Sequence, residues 1–189
     1  MNLDLLLEHF YRQDKQAITD PNANQPFNAR TIRSATYDNV YLRCDGSGVN
    51  EFKLFGGGVV NAQYGAGEYE KFNFIPQEDG SYAIQSSKFQ NYLRVQIFVP
   101  RFNSNGTGTV NVQNNIIRQP DDSYAIQSKL FRTFLRLDGR QVTSYNDAGS
   151  GLVNVQRNVR DMEKFIIEPP LTHSTPDNND RNSDTTESD

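Results

Sequence analysis

Two segments of the chain, Arg43-Cys44-Asp45-Gly46 and Arg136-Leu137-Asp138-Gly139, place a guanidinium beside a carboxylate at the mouth of a turn. Such a pair offers a rigid fork of donors and a strong acceptor to a polar ligand. Amides recur nearby in the chain, as Asn61 with Gln63, Asn111 with Gln113, and Asn154 with Gln156. An aromatic residue precedes each recurring Arg by two positions: Tyr41 before Arg43, Tyr92 before Arg94, Phe134 before Arg136. Arg, Asp and amide groups beside a ring are the material of a sugar or peptide site. Amides at equivalent positions can instead pair backbone groups that strand ends leave unsatisfied. At the level of sequence both roles stay open.

A third group breaks that regularity. In Val95-Gln96-Ile97-Phe98-Val99-Pro100-Arg101-Phe102, the alternation of Val95, Ile97 and Val99 predicts a strand burying one face. Phe98 and Phe102 then lie away from that face with Arg101 close by, the usual composition of a protein-contact hot spot. Packing within the fold is the competing role for the same rings.

Catalytic chemistry finds little to work with. The two histidines, His9 and His173, fall in the terminal segments, far from the recurring motifs. They offer no Ser-His-Asp or Cys-His constellation. The single cysteine, Cys44, forms no internal disulfide and no metal cluster, and a small half-buried hydrophobe is its expected role. Asp45 and Asp138 begin Asp-Gly turns, which accounts for their type. Gly56-Gly57-Gly58 is followed by no Gly-Lys-Ser/Thr and leads into a strand, so a tight turn is expected rather than a phosphate cradle. The expectation is a non-catalytic chain with no cofactor and no metal.

The elements that carry these residues are written three times. Ser34, Ser86 and Ser128 end similar strands, and the next landmark, Leu42, Leu93 or Leu135, follows after 8, 7 and 7 residues. From that Leu to Asn61, Asn111 or Asn154 is 19, 18 and 19 residues. A fourth strand is read at Glu70-Lys71-Phe72-Asn73-Phe74 and restated at Glu163-Lys164-Phe165, with Asn115-Ile116-Ile117-Arg118 standing in its place in the middle repeat. Fixed spacings between matching words mark three equivalent folding units. Four strands in each predict twelve, and closing six of them into a barrel capped by three hairpins buries their apolar faces economically. Leu42, Leu93 and Leu135 should point inward, with the flanking aromatics and arginines on the opposite face.

Outside the repeats, Leu3, Leu6, Leu7 and Phe10 share one face of an expected helix over residues 2–17, followed by a Pro- and Asn-containing linker. That helix is expected to cover the domain, with self-association as its second role. Residues 171–189 hold Asp177, Asp180, Asp184, Glu187 and Asp189 against Arg181, which accounts for the whole net charge of −4. The body is therefore near neutral, and no nucleic-acid partner is expected. The division is residues 1–28 for the helix and linker, 29–170 for the strand domain and 171–189 for a disordered acidic tail. No signal peptide or stretch of membrane-spanning length is visible, which predicts a cytoplasmic protein.

The patterns Tyr-Leu-Arg-x-Asp-Gly at residue 41, Gly-Gly-Gly-Val-Val-Asn-Ala-Gln at 56 and Glu-Lys-Phe-x-Phe at 70 resemble the fascin-like branch of the β-trefoils, the actin-crosslinking superfamily. The resemblance covers residues 29–169 and implies an all-β trefoil. Fascins resemble four trefoils in tandem, whereas this chain has one. The Gln-x-Trp signature of ricin-type lectins is absent, because Gln63, Gln113 and Gln156 have no Trp after them. What the resemblance implies is a binding module for a protein surface, with actin as partner, and a glycan-binding module as the alternative. Arg43, Asp45, Asn61, Gln63, Arg136, Asp138, Asn154, Gln156, Phe98, Arg101 and Phe102 are the candidate contact residues.

Overall fold

The computed structural model of the protein describes residues 25–51, 57–95, 112–169 and 171. Alternating apolar and polar side chains build ten strands: β1 (Phe27–Ser34), β2 (Val40–Asp45), β3 (Val59–Tyr64), β4 (Lys71–Pro76), β5 (Tyr82–Ser86), β6 (Gln113–Arg118), β7 (Tyr124–Ser128), β8 (Phe134–Asp138), β9 (Leu152–Gln156) and β10 (Phe165–Glu168). In β4, Phe72 and Phe74 are fully buried while Lys71 and Asn73 face away from the core. β5 and β7 share the sequence Tyr-Ala-Ile-Gln-Ser and the same burial pattern.

Six strands form a closed ring of antiparallel pairs: β1 with β4, β4 with β5, β5 with β6, β6 with β7, β7 with β10, and β10 with β1. Closure leaves no open edge in the barrel. The β2–β3 and β8–β9 hairpins extend from it through β1 and β7. In sequence order the first repeat is β1–β4, the second β5 and β6, and the third β7–β10. A closed six-strand barrel with hairpins set in repeats is the β-trefoil plan.

The count differs from the expected twelve. In the second repeat the strand around Tyr92 shrinks to one bridge, Gln85 to Tyr92. Its third strand is expected at residues 110–113, of which 110 and 111 lie outside the described residues and Gln113 already begins β6. The expected helix at residues 2–17, the Phe98–Phe102 segment and the tail beyond residue 171 lie outside the described residues. Two ends of the strand domain extend slightly past the sequence reading. Phe27 opens β1 inside the core, opposite Phe74, and Leu171 packs on the core from the other end.

The core forms where the repeats converge. Leu42, Leu93 and Leu135 are 0, 5 and 4% exposed, as the alternation requires. Phe72 and Phe165, equivalent across two repeats, are both fully buried. Cys44 joins this cluster, and burial pushes its thiol up to about 11, which leaves it an inert hydrophobe.

Matching turns enter β5 and β7. Asp79 and Asp121 each accept from the backbone and hydroxyl of the Ser two residues on. Gly80 and Asp122 adopt the positive φ these turns need. Lys129 reaches Asp79, and Lys164 reaches Asp121 at 2.6 Å, tying neighbouring repeats together. These lysines, then the Ser partners, hold both carboxyls at about 2 rather than the usual 3.8. A depressed carboxylate contributes its stability above the unfolded pKa and loses it as pH falls through the folded one. Thermal stability should therefore be flat above about pH 4 and fall between about pH 4 and 2 from these two groups. Calorimetry of Asp79→Asn with Asp121→Asn should show a shallower fall across that window; an unchanged profile would refute the assignment.

Candidate functional site

The first repeat shows what the recurring Arg and amides do when covered. Arg43 lies on the face of β2 opposite Leu42, as expected, but it is 3% exposed rather than facing solvent. Beneath it a 3-10 turn at Glu68–Glu70 carries Glu70, whose Oε2 accepts from the Gly67 backbone N–H at 2.7 Å. Glu70 Oε1 is 3.9 Å from Arg43 Nε, and burial raises its carboxyl above the usual range. Arg43 Nη2 donates to Asp45 Oδ2 at 3.1 Å, and its guanidinium stacks 4.7 Å from the Tyr69 ring. Asp45 also accepts from the Ser47 backbone and hydroxyl, which holds its carboxyl low and fixes the turn.

The cover comes from the β8–β9 loop of the third repeat. Gln63 reads the backbone of Asn146 from both sides, donating to its carbonyl at 2.5 Å and accepting from its N–H at 3.1 Å. Asn61 Nδ2 donates to the Ala148 carbonyl at 2.8 Å, and Arg43 Nη2 to the Asp147 carbonyl at 3.0 Å. Three side chains of one repeat thus hold three consecutive residues by their backbone. The loop is shaped for this. Asn146 Oδ1 accepts from the Ala148 N–H, and Gly149 turns the chain at φ +68°. A Cβ on Gly149 would lie 2.5 Å from Asn61 Oδ1, so the close approach requires glycine there.

The third repeat builds the same cradle, and among the described residues no loop covers it. Arg136 Nη2 donates to Asp138 Oδ2 at 3.1 Å and to Met162 Sδ, while Nε is 3.6 Å from Glu163 Oε1. Glu163 is buried in the 3-10 turn Asp161–Glu163 and accepts from the Arg160 N–H at 2.7 Å. Asp138 accepts from Arg140 and Arg136, and the arginines hold its carboxyl well below the usual range. Strand register places Asn154 opposite Arg136 and Gln156 opposite Phe134, as Asn61 faces Arg43 and Gln63 faces Tyr41. Arg136, Gln156, Arg157, Arg160, Met162 and Glu163 line a cleft of about 660 Å3. Among the described residues Gln156 is exposed and makes no side-chain hydrogen bond, and Asn154 Oδ1 is buried without a partner.

Three substitutions between the repeats set the cleft's chemistry. Tyr64, Gly67 and Tyr69 of the first repeat correspond to Arg157, Arg160 and Met162 of the third. The cleft therefore has two more cations and two rings fewer. Arg157 and Arg160 are exposed and form no ion pair among the described residues. No group of three His, Cys, Asp or Glu among those residues is arranged to hold a metal. Nor is any helix among them long and apolar enough to cross a membrane.

The structure places the described candidates in two repeats. Arg43, Asp45, Asn61 and Gln63 form one cluster, and Arg136, Asp138, Asn154 and Gln156 the other. Phe98, Arg101 and Phe102 lie outside the described residues. What sequence reasoning missed was the carboxylate under each arginine and the basic rim. The recurring Glu-Lys-Phe word contains Glu70 and Glu163, but in sequence it signals only the start of a strand.

No known family and no curated protein matches the chain. Among solved structures, the chain is similar to a mosquitocidal holotoxin with a TM-score of 0.53 and 16% identity, over 75% of this chain and 17% of that one. It is also similar to a designed 3-fold symmetric protein, ThreeFoil, with a TM-score of 0.51 and 16% identity, over 73% of this chain and 96% of that one. The chain thus spans about a sixth of the holotoxin's length and nearly all of the designed protein's. At this identity the likeness speaks to fold alone, and it supports the β-trefoil.

Proposed function

We propose that the chain is a non-catalytic β-trefoil binding module that takes a polypeptide segment of a partner protein in the cleft of its third repeat. One observation carries this reading. Arg43, Asn61 and Gln63 hold residues 146–148 through their backbone, while Arg136 and Gln156, the equivalents of Arg43 and Gln63, line a cleft that no described residue fills, with Asn154 opposite Arg136 in the strand register. Side-chain amides that pair a peptide group on both its donor and acceptor are suited to reading polypeptide rather than a hydroxyl-rich ligand. The resemblance to fascin-like trefoils makes actin the first partner to test.

A glycan is the alternative, since Arg, Asn and Gln also bind sugar hydroxyls. The lining disfavours it: Met162 replaces the ring that Tyr69 supplies in the first repeat, so among the described residues no aromatic face lines the cleft for a sugar to stack on. Filament co-sedimentation, a displayed peptide library and a glycan array, run on the full chain, separate the readings. Expected is selection of peptides whose binding falls at least tenfold in Gln156→Ala, a change at an exposed side chain that should leave the fold intact. Binding of glycans alone, or peptide binding indifferent to Gln156, would overturn the proposal.

A further inference from the structure

We infer that the third-repeat cleft recognises an acidic turn of a partner protein, of the form Asn-Asp-x-Gly, rather than an arbitrary peptide. This inference rests on the reading of the cleft as a polypeptide site and specifies what enters it. Its template is the chain's own Asn146-Asp147-Ala148-Gly149, held on the equivalent surface of the first repeat. There the amide of Gln63 pairs with both backbone groups of the first residue. The second residue gives its carbonyl to the arginine, and the third gives its carbonyl to Asn61. The fourth must be glycine, because of its positive φ and its 2.5 Å approach to Asn61 Oδ1. Gln156, Arg136 and Asn154 stand in the same strand register and present the same groups.

Charge then selects among turns of this shape. Arg157 and Arg160 flank the cleft where the first repeat has Tyr64 and Gly67, and neither is neutralised by an ion pair among the described residues. Of the two acids on the lining, Glu163 at the base already faces Arg136 and the Arg160 backbone, and Asp161 is exposed at the rim, so the two arginines face one carboxylate not already engaged. A segment with one or more carboxylates beside the turn would meet both free guanidiniums, and Arg–carboxylate pairing adds geometric selectivity as well as attraction. The sequence of the chain repeats this pattern at Phe102-Asn103-Ser104-Asn105-Gly106-Thr107-Gly108, outside the described residues, matching Tyr145-Asn146-Asp147-Ala148-Gly149-Ser150-Gly151. It has no acid, so the two arginines favour a partner's segment over this one.

The probe is a labelled, end-blocked peptide with the sequence of residues 144–151, titrated against the full chain by fluorescence anisotropy. Expected is saturable binding that weakens at least tenfold in Arg157→Glu with Arg160→Glu, and as much when the peptide's Asp becomes Asn or its first Gly becomes Ala. Both arginines are exposed, so an unchanged melting curve should accompany the loss. Equal binding of the Asn or Ala peptide would overturn the inference. So would binding that appears only in Asn103→Ala with Gly106→Ala, because the chain's own turn would then be the occupant. Library peptides that depend on Gln156 but carry neither acid nor glycine would sink this inference and leave the polypeptide site standing. Failure of every peptide would sink the site itself.

Discussion

Phe165→Ala is expected to lower the free energy of unfolding by about 3–5 kcal/mol, the usual cost of emptying an aromatic from a closed core. Phe165 is fully buried, and its strand β10 joins β1 to β7, so it closes the barrel. The cavity would open where three strands meet and the surrounding ladders are paired on both sides, which limits collapse into the void. Phe72, its equivalent in the first repeat, has the same exposure and should show a cost of the same size. Urea unfolding of both variants tests this. A loss below about 1 kcal/mol at either position would mean that the repeats do not share one core.

The barrel was legible because the repeat lengths are set by its geometry. Each copy must carry the chain from one core leucine to the next landmark over the same span, so the spacings at Leu42, Leu93 and Leu135 survive even where the words are worn. The hairpin of the second repeat was not legible in that way. Its strand at Tyr92 keeps a single bridge, although the Leu93 beside it stays in the core. The difference between the two binding surfaces was hidden for another reason. Arg43 and Arg136 stand in the same motif, and Gln63 and Gln156 in the same strand position. What distinguishes Gln63 is a backbone partner 83 residues away, supplied by a different repeat. Local pattern fixes which face a side chain takes and carries no information about what later covers that face. Glu70 and Glu163 were hidden by a related effect. They look like ordinary surface acids preceding a strand, and only the 3-10 turn folds them under the arginine.

Arg43→Ala is expected to cost about 3–5 kcal/mol, as breaking a buried ion pair from one side does. Glu70 would remain buried with the Gly67 N–H as its main partner, the Asp147 carbonyl would lose its donor, and the Tyr69 ring its cation. Burial already raises the Glu70 carboxyl, and loss of the guanidinium would raise it further. A raised carboxyl binds its proton more tightly in the folded state, so the variant should regain stability as pH falls toward and below that pKa. Glu70→Gln added to Arg43→Ala should recover part of the loss at neutral pH by removing the uncompensated charge. Arg136→Ala should cost distinctly less, because its side chain lines the cleft and is four times as exposed as that of Arg43. Chemical denaturation at pH 7 and pH 5 measures all three. Equal losses at Arg43 and Arg136 would mean the two cradles are equivalent in the folded protein, and the open cleft would lose its standing as the place where a partner enters.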